Sequence, residues 1–282
     1  MLNFFRSLQL ALIAPRHLQA RIDGFDRSAI LKASKIARTP RASQEEDGED
    51  DSQRPWWFSE TCYGDPLPAP QIIGATAVIP VQGVITSGLP SIYRAFGYCD
   101  TAQIGGWIRA AAADPAIAKI LLNIDSPGGM VTGTAECGME VEAACNAKPV
   151  IAHSAGMMDS AAYWIGSQAD AVYCTPSADI GCIGVYQVVY DYTAMLEEYG
   201  VKATMIKDGA LKGAGHPHVT MSPDQLSHLQ DQINTIGAQF RAAVSAKRSL
   251  VAPETMQGQS FIGTAAAAVN LVAGLRSLES LI

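Results

Sequence analysis

The sequence predicts an α/β protein with a largely parallel sheet and covering helices. Short β-branched, apolar runs alternate with stretches of helical spacing from about Ala75 onward, and the apolar runs close on turns rich in glycine or proline. The chain also has the capacity for such a fold, since 282 residues, 48% of them apolar, can bury a real core in one large or two modest domains.

Residues 1–41 carry scattered Arg and Lys and read as an N-terminal arm. Residues 42–74 read as an acidic flexible linker, because Glu45, Glu46, Asp47, Glu49, Asp50 and Asp51 form a run too polar to collapse. The apolar stretch Leu8 to Ala14 is short, is closed by Pro15-Arg16 and lacks a small-x-small cleavage site, so a secretory signal is not expected. The folded domain is expected over 75–282. It opens with the strand Ala77-Val-Ile-Pro-Val-Gln-Gly-Val-Ile85, in which Gly83 marks a bend or a close backbone approach. Thr101 to Ala113 suits a helix ending before Pro115, and Ala118 to Ile124 a short buried strand closed by Ser126-Pro-Gly-Gly129. Thr132 to Ala147 reads as a second helix, and Pro149–His153, Asp170–Cys174 and Val201–Ile206 as further strands. Ser222-Pro-Asp-Gln225 has the form of a capping box with proline at the first helical position. Leu226, Leu229, Ile233, Ile236, Phe240 and Val244 follow at helical spacing, giving a long amphipathic helix whose apolar face serves core packing, with a subunit contact as the alternative.

A formal charge of −7 offers no broad basic surface, so no nucleic-acid partner is expected. Cys62, Cys99, Cys137, Cys145, Cys174 and Cys182 contain no CxxC pair, which reads as free thiols in a reducing compartment and no metal site. No run of 18 apolar residues occurs, so no membrane span is expected, and the localisation expected is cytoplasmic.

Two segments carry chemistry. In Ile124-Asp-Ser-Pro-Gly-Gly-Met130 the glycines lie where a strand meets the next helix, and a backbone without Cβ atoms can bring N–H donors up to a developing oxyanion. On its own this is an ordinary Pro-Gly-Gly turn. In Gly156-Met-Met-Asp-Ser-Ala-Ala-Tyr-Trp164 a serine stands at a helix entrance, followed by small residues, so that the Ala161 N–H can face a reacting carbonyl. Read blandly, Ser160 or Asp159 is a helix cap.

A nucleophilic serine needs a base. None of His17, His153, His216, His218 and His228 falls in a recognisable triad position. A desolvated lysine can serve instead; lowering its pKa from about 10.4 to near 7 costs roughly 4–5 kcal/mol, so it needs an apolar pocket. Lys212, in Gly209-Ala-Leu-Lys-Gly-Ala-Gly215, sits among small and apolar residues, whereas Lys202 lies on an expected strand and Lys207 beside Asp208.

Together these segments resemble the signal peptide peptidase A family of serine-lysine peptidases, which includes phage head-maturation proteases. The likeness runs from about Ala75 to Ala273, through the Ile-Pro-Val-x-Gly-Val-Ile strand, Asp-Ser-Pro-Gly-Gly, Ser-Ala-Ala-Tyr and Ile180-Gly-Cys-Ile-Gly-Val185. It continues through Tyr199-Gly-Val-Lys202, Ile206-Lys-Asp-Gly-Ala-Leu-Lys212 and Phe261-Ile-Gly-Thr264, with 52 residues from Ser160 to Lys212.

The resemblance implies a fold of the Clp-protease and crotonase type, a spiral of strand-strand-helix units. It implies Ser160 as nucleophile, Lys212 as base, Gly128, Gly129 and Ala161 as the oxyanion site, and no cofactor. It also implies homo-oligomeric rings, in some members with the lysine supplied by a neighbouring subunit. A prohead protease acting on scaffold, portal or capsid proteins is the favoured setting, with cleavage beside small or apolar side chains and trimming of its own arm. A cellular peptidase that degrades signal peptides and a non-catalytic assembly protein are the alternatives. Acyl-CoA chemistry has no carboxylate pair to support it, and a Clp-type triad lacks its histidine.

Three departures stand out. Asp159 precedes the serine where a small residue is usual, and an ionised carboxylate facing Lys212 would weaken it as a base, so Asp159 is expected to point away as an N-terminal cap. Cys182 replaces a typical serine or threonine. Asn270-Leu-Val-Ala-Gly274 stands where Gly-Leu-Val-Asp is common, far from the site.

Overall fold

The computed structural model describes Trp56, Thr61–Cys62 and residues 65–282. The arm 1–41, the Leu8–Ala14 stretch and the acidic run of the linker lie outside the described residues. Of the two units into which the chain divides, Met1–Phe58 and Ser59–Ile282, the second is the one described here.

A small pair, β1 (Thr61–Cys62) and β2 (Asp65–Pro66), precedes the main sheet. The main sheet is built on β4 (Thr76–Gln82), β7 (Lys119–Ser126) and β8 (Val150–Asp159), all parallel, in that order. Six of the seven β4 residues are buried, as expected of a parallel strand covered on both faces. Antiparallel β3 (Gln71–Ile73) closes one edge, so the sheet begins four residues before Ala75.

Strand β8 is longer than its apolar start suggested, and it serves two neighbours. Its first half, Ile151–Ser154, pairs with β9 (Ala171–Cys174), which in turn pairs with β12 (Gly274–Leu275). Its second half, Met157–Asp159, pairs with β10 (Asp179–Gly181), and β11 (Ser260–Ile262) adds antiparallel to β10. The change of partner occurs at Gly156, where a Cβ would lie 2.3 Å from Asp125 Oδ1; that same oxygen accepts the Met157 N–H at 3.1 Å. A side chain at 156 would have to displace the Asp125 carboxylate that holds the bend.

A bend at Gly83 leads into a second, smaller sheet. A Cβ there would meet the Gly97 carbonyl oxygen at 2.1 Å, so the close approach expected from the sequence is present, and the expected single strand 77–85 is two: β4 and β5 (Val84–Thr86). Strand β5 pairs with β6 (Tyr98–Asp100) on one side and bridges to Gly129 on the other. Helix α1 (Thr101–Ala113) follows β6, with Asp100 accepting the Ala102 and Gln103 N–H groups as its cap. Helix α2 (Thr134–Cys145) follows the Gly129 bridge, and α3 (Ala161–Gly166) follows the second half of β8. Three successive strand-strand-helix units are therefore stacked along the chain.

Ile104 and Ile108 of α1, Val141 of α2 and the whole of α3 are buried over Ile79, Ile120, Leu122 and Ile124. Helix α5 (Pro223–Lys247) has the expected capping box, with Ser222 and Gln225 bonded reciprocally. Its apolar burial lies in its C-terminal half: Phe240 and Val244 are buried, and Phe240 stacks on Trp164 of α3 with ring centroids 4.7 Å apart, whereas Leu226 stays exposed.

The segment 183–222 differs from expectation. Val201–Ile206 forms no strand; Val201 is half-exposed and Ile206 is 97% exposed. A strand needs a partner edge, and none within the described residues reaches this stretch. A short helix, α4 (Thr193–Glu198), interrupts the segment and buries no residue, and Tyr186, Tyr190, Met195 and Tyr199 are exposed as well. The last helix, α6 (Gly263–Ala268), returns the chain to the sheet.

Candidate active site

The centre of interest lies where β8 ends and α3 begins. Ser160 is held at φ 53°, ψ −123°, a region that a residue with a side chain occupies only under strain of order 1–3 kcal/mol. The surroundings impose it: the Ser160 N–H donates to the Gly181 carbonyl at 2.8 Å, and its own carbonyl accepts the Trp164 N–H at 2.9 Å as α3 starts. Ser160 is partly exposed, and its Oγ has no hydrogen-bond partner among the described residues.

The glycine turn after β7 packs directly on this serine. A Cβ on Gly128 would lie 2.7 Å from Ser160 Cβ and 2.9 Å from the Ala161 nitrogen; a Cβ on Gly129 would lie 2.0 Å from the Ile85 carbonyl oxygen. Both glycines have positive φ, 94° and 159°. Strand β5 fixes the turn, with Ile85 N–H donating to Gly128 O and Met130 N–H to Ile85 O, each at 2.9 Å. The three N–H groups expected to face an oxyanion differ in availability. That of Gly128 donates to Ser126 Oγ at 3.1 Å, whereas those of Gly129 and Ala161 have no acceptor among the described residues.

Asp159 is not a cap. It is buried, α3 has no side-chain cap, and Asp159 Oδ1 accepts a 2.9 Å hydrogen bond from Ser260 Oγ on β11. Burial pushes its carboxyl up to about 6, with the Ser260 hydroxyl working against the shift and the Asp179 charge adding to it. Cys182 stands at the end of β10 with φ 50°; burial and the neighbouring Asp159 charge raise its thiol, while a hydrogen bond with Ser260 lowers it.

Lys212 lies in the turns of 208–215. Its N–H donates to Gly209 O, its carbonyl accepts from Gln225 Nε2, and its side chain is exposed. Within one chain, no hydrogen bond joins Lys212 to Ser160 among the described residues. Of the histidines, His153 is buried with Nε2 3.0 Å from Arg276 O, and His216, His218 and His228 lie on the exposed segment and on α5. Sequence reading missed Ser260, which is 101 residues from Asp159 and meets it only because β10 brings β11 alongside β8.

The profile of peptidase family S49 matches residues 142–282, half of the chain. The chain belongs to peptidase family S49, and its stacked strand-strand-helix units agree with the Clp-protease and crotonase type of fold implied by the sequence. It is 33% identical over 180 residues to the capsid assembly protease C of Escherichia phage lambda, covering 64% of this chain and 41% of that protein. It is 28% identical over 175 residues to the head-tail preconnector protein of Enterobacteria phage P21, covering 62% and 35%. To protease 4 of Salmonella typhi it is 30% identical over 223 residues, covering 77% and 35%. The chain thus spans well under half the length of these three relatives. Among the described residues no helix is long and apolar enough to cross a membrane.

Proposed function

We propose that this protein is a serine endopeptidase in which Ser160 is the nucleophile and Lys212 the general base, and that it acts in phage or prophage capsid assembly. The observation that carries the reading is the strained Ser160 beside two free N–H groups, that of Ala161 at the start of α3 and that of Gly129 on a turn where no side chain fits. Ser160 Oγ attacks the scissile carbonyl carbon while its proton passes to the neutral Lys212 amine. The Gly129 and Ala161 N–H groups hold the oxyanion, and Gly128 lines the hole by leaving space for it. The protonated lysine hands its proton to the departing amine, and water then hydrolyses the acyl-serine through the same base.

Lys212 is exposed in the single chain, and a neutral lysine needs an apolar cover. Exposed Tyr186, Tyr190, Tyr199 and Ile206 lie on the same segment, so we assign that cover to a second copy of the chain in a homo-oligomeric ring. The names of the phage relatives favour head-assembly proteins as substrates over the signal peptides of the cellular branch. The domain limits follow the same reading, an arm over 1–41 and a linker from 42, except that β3 moves the start of the peptidase domain from Ala75 to Gln71.

The test is cleavage of casein and a fluorogenic peptide panel by wild type, Ser160→Ala, Lys212→Ala and an equimolar mixture of the two variants. Wild type is expected to cut and each variant alone to be inactive. Recovery in the mixture indicates a dyad completed between subunits, and no recovery indicates a dyad within one. Full cleavage by either single variant contradicts the assignment.

A further inference from the structure

Asp159, Gly181 and Ser260 stand in register across three adjoining strands: Asp159 pairs with Gly181, and Gly181 with Ser260. Gly181 carries no side chain, so the Asp159 carboxyl reaches over β10 to the Ser260 hydroxyl on β11. The middle strand contributes the Gly181 carbonyl, which accepts the Ser160 N–H and so takes part in holding the strained serine. The residue after β10 is Cys182, itself at φ 50°, with its N–H on Gln259 O and its thiol beside Ser260. Segment 183–222, which carries Lys212, starts there.

We infer that Ser260 is a positioning residue for the reaction proposed above: its hydroxyl, bonded to Asp159 and set against Cys182, clasps the nucleophile's strand to the root of the segment that carries the base. Ser260 touches neither reacting atom. It acts through the residue before Ser160 and through the residue at which the lysine segment leaves the sheet. Two backbone positions at positive φ, 160 and 182, flank the Gly181 carbonyl on which the serine depends, and without the clasp each is free to relax to a commoner conformation. Loss of the clasp therefore alters alignment during the chemical step more than substrate binding.

The test uses the full chain with Ser260→Ala, Ser260→Thr and Asp159→Asn. Ser260→Ala removes the donor, whereas threonine keeps a hydroxyl and asparagine keeps an acceptor. Ser260→Ala is expected to lower kcat roughly ten- to a hundredfold, the scale of a small misplacement of reacting groups. KM and the melting temperature should stay close to wild type, and Ser260→Thr should recover most of kcat. A loss in KM alone, a loss that simply follows lowered stability, or equal losses in alanine and threonine overturns the inference. Hydrogen exchange separates this question from the peptidase reading, because it needs no activity. The Ser160 and Cys182 amides are expected to exchange faster in Ser260→Ala than in wild type while the amides of β4 and β7 do not change. Unchanged exchange at both sites overturns the clasp even if the protein cleaves nothing.

Discussion

Asp159 has been placed against Ser260 at a cost. Its folded value of about 6 lies above the ordinary 3.8, so the native state holds its proton more tightly than the unfolded chain does. The sign follows: ionisation of Asp159 costs nothing below about pH 4, and the full destabilisation is present above pH 6. Two pKa units correspond to about 3 kcal/mol. Asp159→Asn is expected to raise unfolding stability by roughly 1–3 kcal/mol at pH 8, with the gain fading towards pH 4. Urea unfolding at the two pH values checks this, and a gain equal at both would show that the carboxylate is not the cause. Because the carboxyl turns towards Ser260, the same substitution should leave the pH at which the lysine limb of activity rises where it is in wild type. Gly128 makes the complementary case. Its Cβ would press on Ser160 Cβ, Asp159 O and Ala161 N, all nearer than 3.0 Å, and its φ of 94° disfavours a side chain. Gly128→Ala is expected to reduce peptide cleavage by at least about a hundredfold, an effect of the size seen when an oxyanion site is lost. Near-normal cleavage would mean that the turn stands farther from the reaction than proposed.

At the scale of elements, legibility followed locality. Helix α1 runs from Thr101 to Ala113 as read, because its cap, Asp100, and the proline that ends it, Pro115, are both within a residue or two of its ends. The start of α5 was equally plain in Ser222 and Gln225. Val201–Ile206 has strand composition but no strand, since pairing depends on an edge that the described residues do not offer. Strands β10 and β11 have three residues each and exist by virtue of their neighbours, so the meeting of Ser260 with Asp159 left no local trace. In the site itself, Ser160 and the glycine turn were legible because small residues cluster where backbone must pack on backbone. The Lys212 environment was not, because among the described residues no apolar pocket encloses its exposed side chain. The α5 contact with the site gives a direct prediction. Phe240 stacks on Trp164 four residues after Ser160, and Phe240→Ala is expected to cost about 3–5 kcal/mol in denaturant unfolding. A cost below 1 kcal/mol would show that the C-terminal half of α5 is not part of the core.

At the scale of the whole molecule, half of the chain carries the family profile, and the sheet places a strained serine, a side-chain-free turn and two available N–H groups at one point. Lys212, the proposed base, stands on an exposed segment whose Tyr186, Tyr190, Tyr199 and Ile206 side chains are exposed as well. The proposed assembly would cover both, so specific activity should rise with protein concentration. Ile206→Asp should shift the protein towards smaller species in sedimentation velocity and lower activity in parallel. A wild type that remains monomeric and fully active at every concentration would remove the need for a partner. The most direct test of the central claim is reaction with a fluorophosphonate probe, followed by intact mass and peptide mapping. The account predicts a single adduct on Ser160 in wild type and none, at equal time and concentration, in Lys212→Ala. An adduct on another serine, or labelling of Ser160 that is indifferent to Lys212, would contradict it.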